Sequence, residues 1–321
     1  MVVQGLLNGV RGSVLALVVA AGVGGIMASR QAPAALGLAA HGFSPESRSD
    51  QRDLRAEVAR LSAQLQELRE ERAMPARVMD RDSASICYLY GEYSYQHPAA
   101  WTRPMHIHVS GSGFVVANGW IATNRHVADP GYADVHAASM REAGAAYRAQ
   151  RLLAFCPGHS APMELSHMVV SGDSDLAVMR FTPQEGDASP APLPLAPAAA
   201  RAGDSVLVLG YPMGIEGMLA KSPRLVARRL AMEENDYATA RRLAALALIR
   251  PSATQGHIGD VVGDKLLYDA GTAQGASGAP IFNAHGEVIG VNSAYLDGFS
   301  GGTLGVSVEK LKPLLAKAGA R

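Results

Sequence analysis

Two cysteines in 321 residues cannot build a disulfide framework, and Cys87 and Cys156 lie too far apart for a Cys-x-x-Cys redox or zinc motif. A single bridge between them and a pair of buried thiols are both open, because an oxidising compartment permits either. No charge of one sign prevails: 29 Lys and Arg balance 29 Asp and Glu, so no global field points to nucleic acid or an acidic polymer as partner. No Gly-x-x-x-x-Gly-Lys nucleotide loop occurs, and no cofactor is expected. His106-Ile-His108 would put two imidazoles on one side of a strand, but no Cys or carboxylate pair accompanies them. His136, His159, His167, His257 and His285 show no metal spacing either, so no metal is expected.

Long apolar runs are scarce as well. The one candidate, Gly12 to Ser29 after Arg11, spans roughly 27 Å as a helix, enough to enter a bilayer with little slack. Residues 1–30 are therefore expected to be a signal anchor or, alternatively, a cleaved signal peptide with a small-residue site near Ala32-Pro-Ala34. Either sends the rest of the chain out of the cytoplasm, as an inner-membrane protein facing the periplasm or exterior, or as a secreted one. Arg11 and Arg30 are too balanced to fix orientation.

An Ala/Gly/Pro-rich linker (31–48) leads to a charged stretch, 49–73, with Leu54, Val58, Leu61, Leu65 and Leu68 in alternating steps of four and three. That is a coiled-coil seam, expected to act as a stalk that forms homo-oligomers, a lone amphipathic helix being the alternative. A short linker (74–85) follows. From there short β-rich runs are punctuated by Gly, Pro and Asn: 86–90, 113–116, 120–123, 176–181, 206–209, 265–268 and 288–291. The pattern predicts antiparallel barrels: a first over about 86–188, a second over about 200–306, and a Pro/Ala connector from Ser189 to Ala200. Residues 215–251, rich in Ala, Leu, Arg and Glu, read as a helical insertion, either a lid or a surface decoration. A closing helix follows Ser307.

Three separated strings carry the chemistry: Ala122-Thr-Asn-Arg-His126-Val, Gly172-Asp-Ser-Asp175-Leu-Ala-Val and Gly275-Ala-Ser277-Gly-Ala-Pro280. A serine hydroxyl is a poor nucleophile near neutral pH until an imidazole takes its proton, and a carboxylate holds that imidazole in the useful tautomer. His126, Asp175 and Ser277 fit these roles. Asp175 is preferred to Asp173 because it directly precedes the apolar Leu-Ala-Val run. The order His, Asp, Ser and the string Gly-Ala-Ser-Gly-Ala exclude the α/β-hydrolase arrangement.

In these strings the chain resembles the chymotrypsin-fold serine proteases, and most closely the HtrA/Deg branch. The likeness extends to Gly111-Ser-Gly-Phe114, to Gly203 through Gly214, to Gly286 through Asn292 and to the spacing between Asp269 and Ser277. It covers about residues 86–318 and implies an all-β fold of two antiparallel six-stranded barrels, a cleft site between them, and hydrolysis of polypeptides, with protein quality control as the family's setting. Two departures stand out: the 215–251 insertion, and the few residues after Ala316, which leave no room for the PDZ domains that usually follow.

The backbone amides of Gly275 and Ser277 are expected to form the oxyanion hole. Ala276 precedes the serine, so the acid that pairs with a new N-terminus in trypsin-like zymogens is missing. The specificity pocket is expected near Gly271, with Asn292, Ser293 and Ala294 on the adjoining strand. No acid stands at its base, which favours a small or medium apolar residue before the scissile bond. The alternatives to an endopeptidase are a non-catalytic peptide-binding scaffold of the same fold and an esterase on the same site.

Overall fold

The computed structural model describes residues 45–96, 105–132, 142, 146–184, 186–295 and 302–320. The Gly12–Ser29 run lies outside them. Among the described residues no helix is long and apolar enough to cross a membrane.

The chain enters through α1 (Pro45–Asp82) and a single 3-10 turn, Ser83–Ser85. The helix runs on through the linker expected at 74–85, because Met74 and Val78 are buried there in the hydrophobic core. Pro75 sits inside it; a proline lacks the amide that a helical carbonyl needs, and nearby Arg77 Nη2 donates to Glu70 O at 2.9 Å. Farther along, the Arg81 guanidinium pairs with Asp82 and donates to Gly286 O at 2.8 Å. Leu54, Val58, Leu61, Leu65 and Leu68 are helical and between 48% and 65% exposed. Among the described residues, 45–57 and those from Val58 onward belong to separate units.

Two closed six-stranded barrels follow. The first contains β1 (Ile86–Gln96), β2 (Met105–Ala117), β3 (Trp120–Thr123), β4 (Ala146–Phe155), β5 (Met163–Val170) and β6 (Ala177–Thr182), in the order β1-β2-β3-β6-β5-β4. The second contains β7 (Ser205–Gly210), β8 (Ser252–Val262), β9 (Lys265–Tyr268), β10 (Pro280–Phe282), β11 (Val288–Tyr295) and β12 (Thr303–Ser307), in the order β10-β11-β12-β9-β8-β7. Closure leaves no unpaired sheet edge.

Strand side chains alternate between faces, and β1 shows what that does here. Cys87 and Leu89 join Val115, Ile121 and Met179 in one core, while Ile86, Tyr88 and Tyr90 join a second core with Phe155, Leu207 and Tyr211. Both faces are buried, so the strand reads as one continuous apolar run. Its antiparallel register with β4 pairs Tyr88 with Phe155. The next positions outward, Cys87 and Cys156, are therefore opposite each other, and they form a disulfide.

The 215–251 segment is helical, as expected: α3 (Gly214–Ala220), α4 (Arg224–Leu230) and α5 (Asp236–Ala245), preceded by the four-residue α2 (Arg125–Ala128) in the first barrel. Leu230, Ala240, Leu243 and Ile249 bury in the core that contains Tyr88 and Phe155. Tyr237 packs on Tyr90, and Arg151 lies 4.2 Å over the Tyr237 ring. The insertion is thus fastened to the first barrel by apolar burial. The closing helix α6 (Val308–Ala318) starts at Ser307, whose hydroxyl accepts from the Glu309 amide at 3.3 Å. It packs on β11 and reaches β5 and β6.

Candidate active site

His126 is set by the turn that follows β3. Asn124 Nδ2 donates to Asp175 O at 2.9 Å and Arg125 Nη1 to Ser171 O at 2.9 Å, tying this turn to the loop that carries Asp175. That loop is folded on itself: Ser171 N donates to Leu176 O at 2.9 Å, and Ser174 Oγ to Ser171 Oγ at 2.8 Å. The outcome is a two-point contact between the expected acid and base. Asp175 Oδ2 lies 2.8 Å from His126 Nδ1, and Asp175 Oδ1 accepts from the His126 amide at 3.0 Å. Burial works to raise the Asp175 carboxyl, but the hydrogen bond and charge of His126, the Ser293 hydroxyl and the His126 amide together hold it below the usual carboxylate range. Asp173 is elsewhere, taking Lys310 of α6 and the Ser171 hydroxyl.

Ser277 stands on a loop that only glycine could shape. Gly275 has φ +93°, and a Cβ there would lie 2.6 Å from Tyr211 O. Gly278 has φ +87°, and its Cβ would collide with Ser112 O and Thr123 Oγ1. The first barrel meets this loop at Ser112, a fully buried residue whose amide donates to Ser277 O at 2.7 Å and whose hydroxyl donates to Gly275 O at 2.9 Å. Among the described residues neither the Gly275 nor the Ser277 amide donates to a protein acceptor.

His126, Asp175 and Ser277 line one open cavity of about 530 Å³, together with Thr272, Ala273, Gln274, Asn292, Ser293 and Ala294. At rest the Ser277 hydroxyl donates to Ser293 O at 3.0 Å, not to His126. Gly271 is not in the wall; it is exposed, and Thr272 to Gln274 line the cavity in its place. Ala294 lines the cavity. Ser293 lines the cavity too, and its hydroxyl donates to Asp175 Oδ2 at 2.7 Å, a link across the barrels that the sequence did not reveal. Asn292 forms part of the wall, yet its side chain is spent inside the protein: Tyr268 Oη donates to Oδ1 at 2.5 Å, and Nδ2 faces Thr272 Oγ1 and Ala276 O at 3.2 and 2.8 Å. It therefore has no free polar atom for substrate. Asp269 accepts from the His257 amide at 2.6 Å, ordering the start of this loop. No residue of the 215–251 segment lines this cavity.

This His-Asp pair and serine, brought together from two closed barrels, coincide with a match to the trypsin-like peptidase domain over residues 111–291, more than half of the chain. The chain belongs to the trypsin-like peptidase family. Among individual proteins, this family member is similar to a Synechocystis sp. protein named as a serine protease, HhoA, with 27% identity over 220 residues. The alignment covers 66% of this chain and 43% of that protein, so the chain spans less than half the length of its curated relative. Solved structures with a related trace include the serine endoprotease from Yersinia pestis (19% identity, TM-score 0.48, covering 76% of this chain and 65% of that one). Another is the active form of the Rv3671c protease from M. tuberculosis (21% identity, TM-score 0.48, 78% and 87%). Neither likeness is close enough to carry a residue's role across. The roles in this trypsin-like peptidase rest on its own geometry.

Proposed function

We propose that the protein is a serine endopeptidase in which Ser277 is the nucleophile, His126 the general base and acid, and Asp175 the carboxylate that orients it. The observation that carries this reading is the meeting of all three in one open cavity beside two unengaged amides, those of Gly275 and Ser277. With Nδ1–H committed to Asp175, His126 Nε2 is left as the acceptor. The Ser277 hydroxyl swings from Ser293 O to Nε2 when substrate enters, then attacks the scissile carbonyl while its proton passes to the imidazole. The new oxyanion takes the two amides, and Asp175 stabilises the imidazolium. His126 returns the proton to the leaving amine, an acyl-enzyme remains, and water activated by the same imidazole releases it. Thr272, Ala273 and Ala294 bound a site that suits a small or medium apolar residue before the bond.

The same reading places the enzyme outside the cytoplasm, acting on polypeptides there in protein quality control, held to the membrane by Gly12–Ser29 and self-associated through the coiled-coil seam. What supports this is the apolar run, the exposed spacing from Leu54 to Leu68 and the Cys87–Cys156 bridge, of a kind that persists in oxidising compartments.

A fluorophosphonate probe tests the chemistry. It should label the full chain and not Ser277→Ala, and the labelled enzyme should lose digestion of casein. Labelling without digestion would favour an esterase, and no labelling under any condition would favour the peptide-binding scaffold. Membrane fractionation and the sedimentation of the full chain against a variant with Leu61 and Leu65 changed to Asn test anchor and stalk.

A further inference from the structure

The two amides of the oxyanion hole belong to the peptide planes Gln274–Gly275 and Ala276–Ser277. In a trans peptide the C=O and N–H point in opposite directions. Whatever holds the carbonyls of Gln274 and Ala276 therefore aims the amides of Gly275 and Ser277. Gln274 O accepts from the Met213 amide at 2.6 Å, a backbone contact from the turn before α3. Ala276 O accepts from the Ala279 amide at 3.0 Å and from Asn292 Nδ2 at 2.8 Å. Asn292 is thus the side chain among these holders, and Ala276 has no polar group with which to fix itself.

Asn292 is built to stay in that orientation. It is 1% exposed. Its Oδ1 takes the phenol of Tyr268 at 2.5 Å, which sets which end of the amide is the NH2. Tyr268 is itself fully buried, and burial pushes its phenol well above the ordinary range, so it remains a donor. Leaving Asn292 with neither partner would strand buried polar atoms, which the protein resists.

We propose that Tyr268 and Asn292 are positioning residues for the oxyanion hole: Tyr268 fixes the Asn292 carboxamide, which holds the Ala276 carbonyl and so points the Ser277 amide into the cavity. This rests on Ser277 being the nucleophile. It gives the loop an uncharged internal brace in place of an acid before the serine.

Asn292→Val and Tyr268→Phe test it in the full chain. Losing an oxyanion donor lowers kcat by about 10² to 10³-fold, so Asn292→Val should lower kcat by about 10²-fold with KM changed less than about threefold. Affinity for a peptide boronate, which adds to the serine as a tetrahedral adduct, should fall in parallel. Tyr268→Phe, which removes one oxygen from a packed ring, should cost about tenfold and serves where Asn292→Val does not fold. Amide hydrogen exchange over residues 270–279 should speed up in both variants while circular dichroism is kept. Folded variants with kcat and boronate affinity within about twofold of the parent, or with unchanged exchange in that segment, would overturn the proposal. Should the parent chain hydrolyse no peptide and take no fluorophosphonate, the catalytic reading fails by itself, and the exchange measurement still decides whether these two side chains hold the loop.

Discussion

The two halves of the site are held by different means. In the first barrel, a side chain enters every tie: the Asp175 carboxylate takes both the ring and the amide of His126, and the side chains of Asn124 and Arg125 donate to backbone carbonyls of the Asp175 loop. In the second, the Ser277 loop is fixed mainly through its backbone carbonyls, those of Gln274 by Met213, Gly275 and Ser277 by Ser112, and Ala276 by Ala279 and Asn292. A base must be fixed in tautomer and ring direction, which a carboxylate does. An oxyanion hole must be fixed in the direction of peptide planes, which only partners of the carbonyls can do. The first half is set by chemistry local to two loops; the second draws on β2, β11 and the turn ahead of the insertion.

The contrast can be broken most severely at its centre. Ser277→Ala and Asp175→Asn should each lower kcat by at least about 10⁴-fold, read as initial rates on a peptide ester and a peptide amide, with thermal unfolding showing a retained fold. Next comes the first barrel's covalent tie. Changing Cys87 and Cys156 to Ser frees a loop of sequence separation 69 and should cost roughly 2–5 kcal/mol in denaturant unfolding; a loss confined to stability, with activity kept at low temperature, would separate scaffold from site.

A milder probe crosses between the halves. Ser293→Ala removes a hydroxyl from Asp175, and a hydrogen bond to a charged group is worth about 1.5–3 kcal/mol, so kcat should fall about tenfold or more. The same substitution sharpens the pH behaviour. The Asp175 carboxyl is held below its unfolded value, so its contribution to stability is present above the unfolded pKa of about 3.9 and is lost as pH falls through the folded value. Without Ser293 the folded value moves up, and acid unfolding should begin at higher pH; an unmoved acid limb would show that this hydroxyl does not stabilise the charged form. The smallest effect is expected at Lys310→Met. Its partner Asp173 is a surface carboxylate, and exposed pairs contribute little, so thermal stability and kcat should match the parent.

Legibility followed the strength of the local pattern. The runs at 86–90, 120–123, 206–209 and 265–268 fall on β1, β3, β7 and β9, and most of their residues are apolar and buried. Strand β8 gave no such signal: Ser252–Val262 carries two glycines, and most of its residues are exposed or half-buried. Strand β10 has only three residues, and β12 is interrupted by Gly305; barrel closure supplies the partners that their own propensity does not. Helix α1 continues beyond the charged stretch that ends at 73 and through Pro75, because Met74 and Val78 are buried in the hydrophobic core.

The order of His126, Asp175 and Ser277, the short β-rich runs punctuated by Gly, Pro and Asn, and the four-three spacing from Leu54 to Leu68 were legible in the sequence, because each depends on residue type and short spacing alone. Which carbonyl accepts which donor was decided only in three dimensions. Ser112, Met213, Tyr268, Asn292 and Ser293 act on a loop from positions up to 165 residues away from Ser277 in the case of Ser112, whose amide meets Ser277 O at 2.7 Å, and a hydrogen bond depends on distance and direction, for which a linear spacing has no measure.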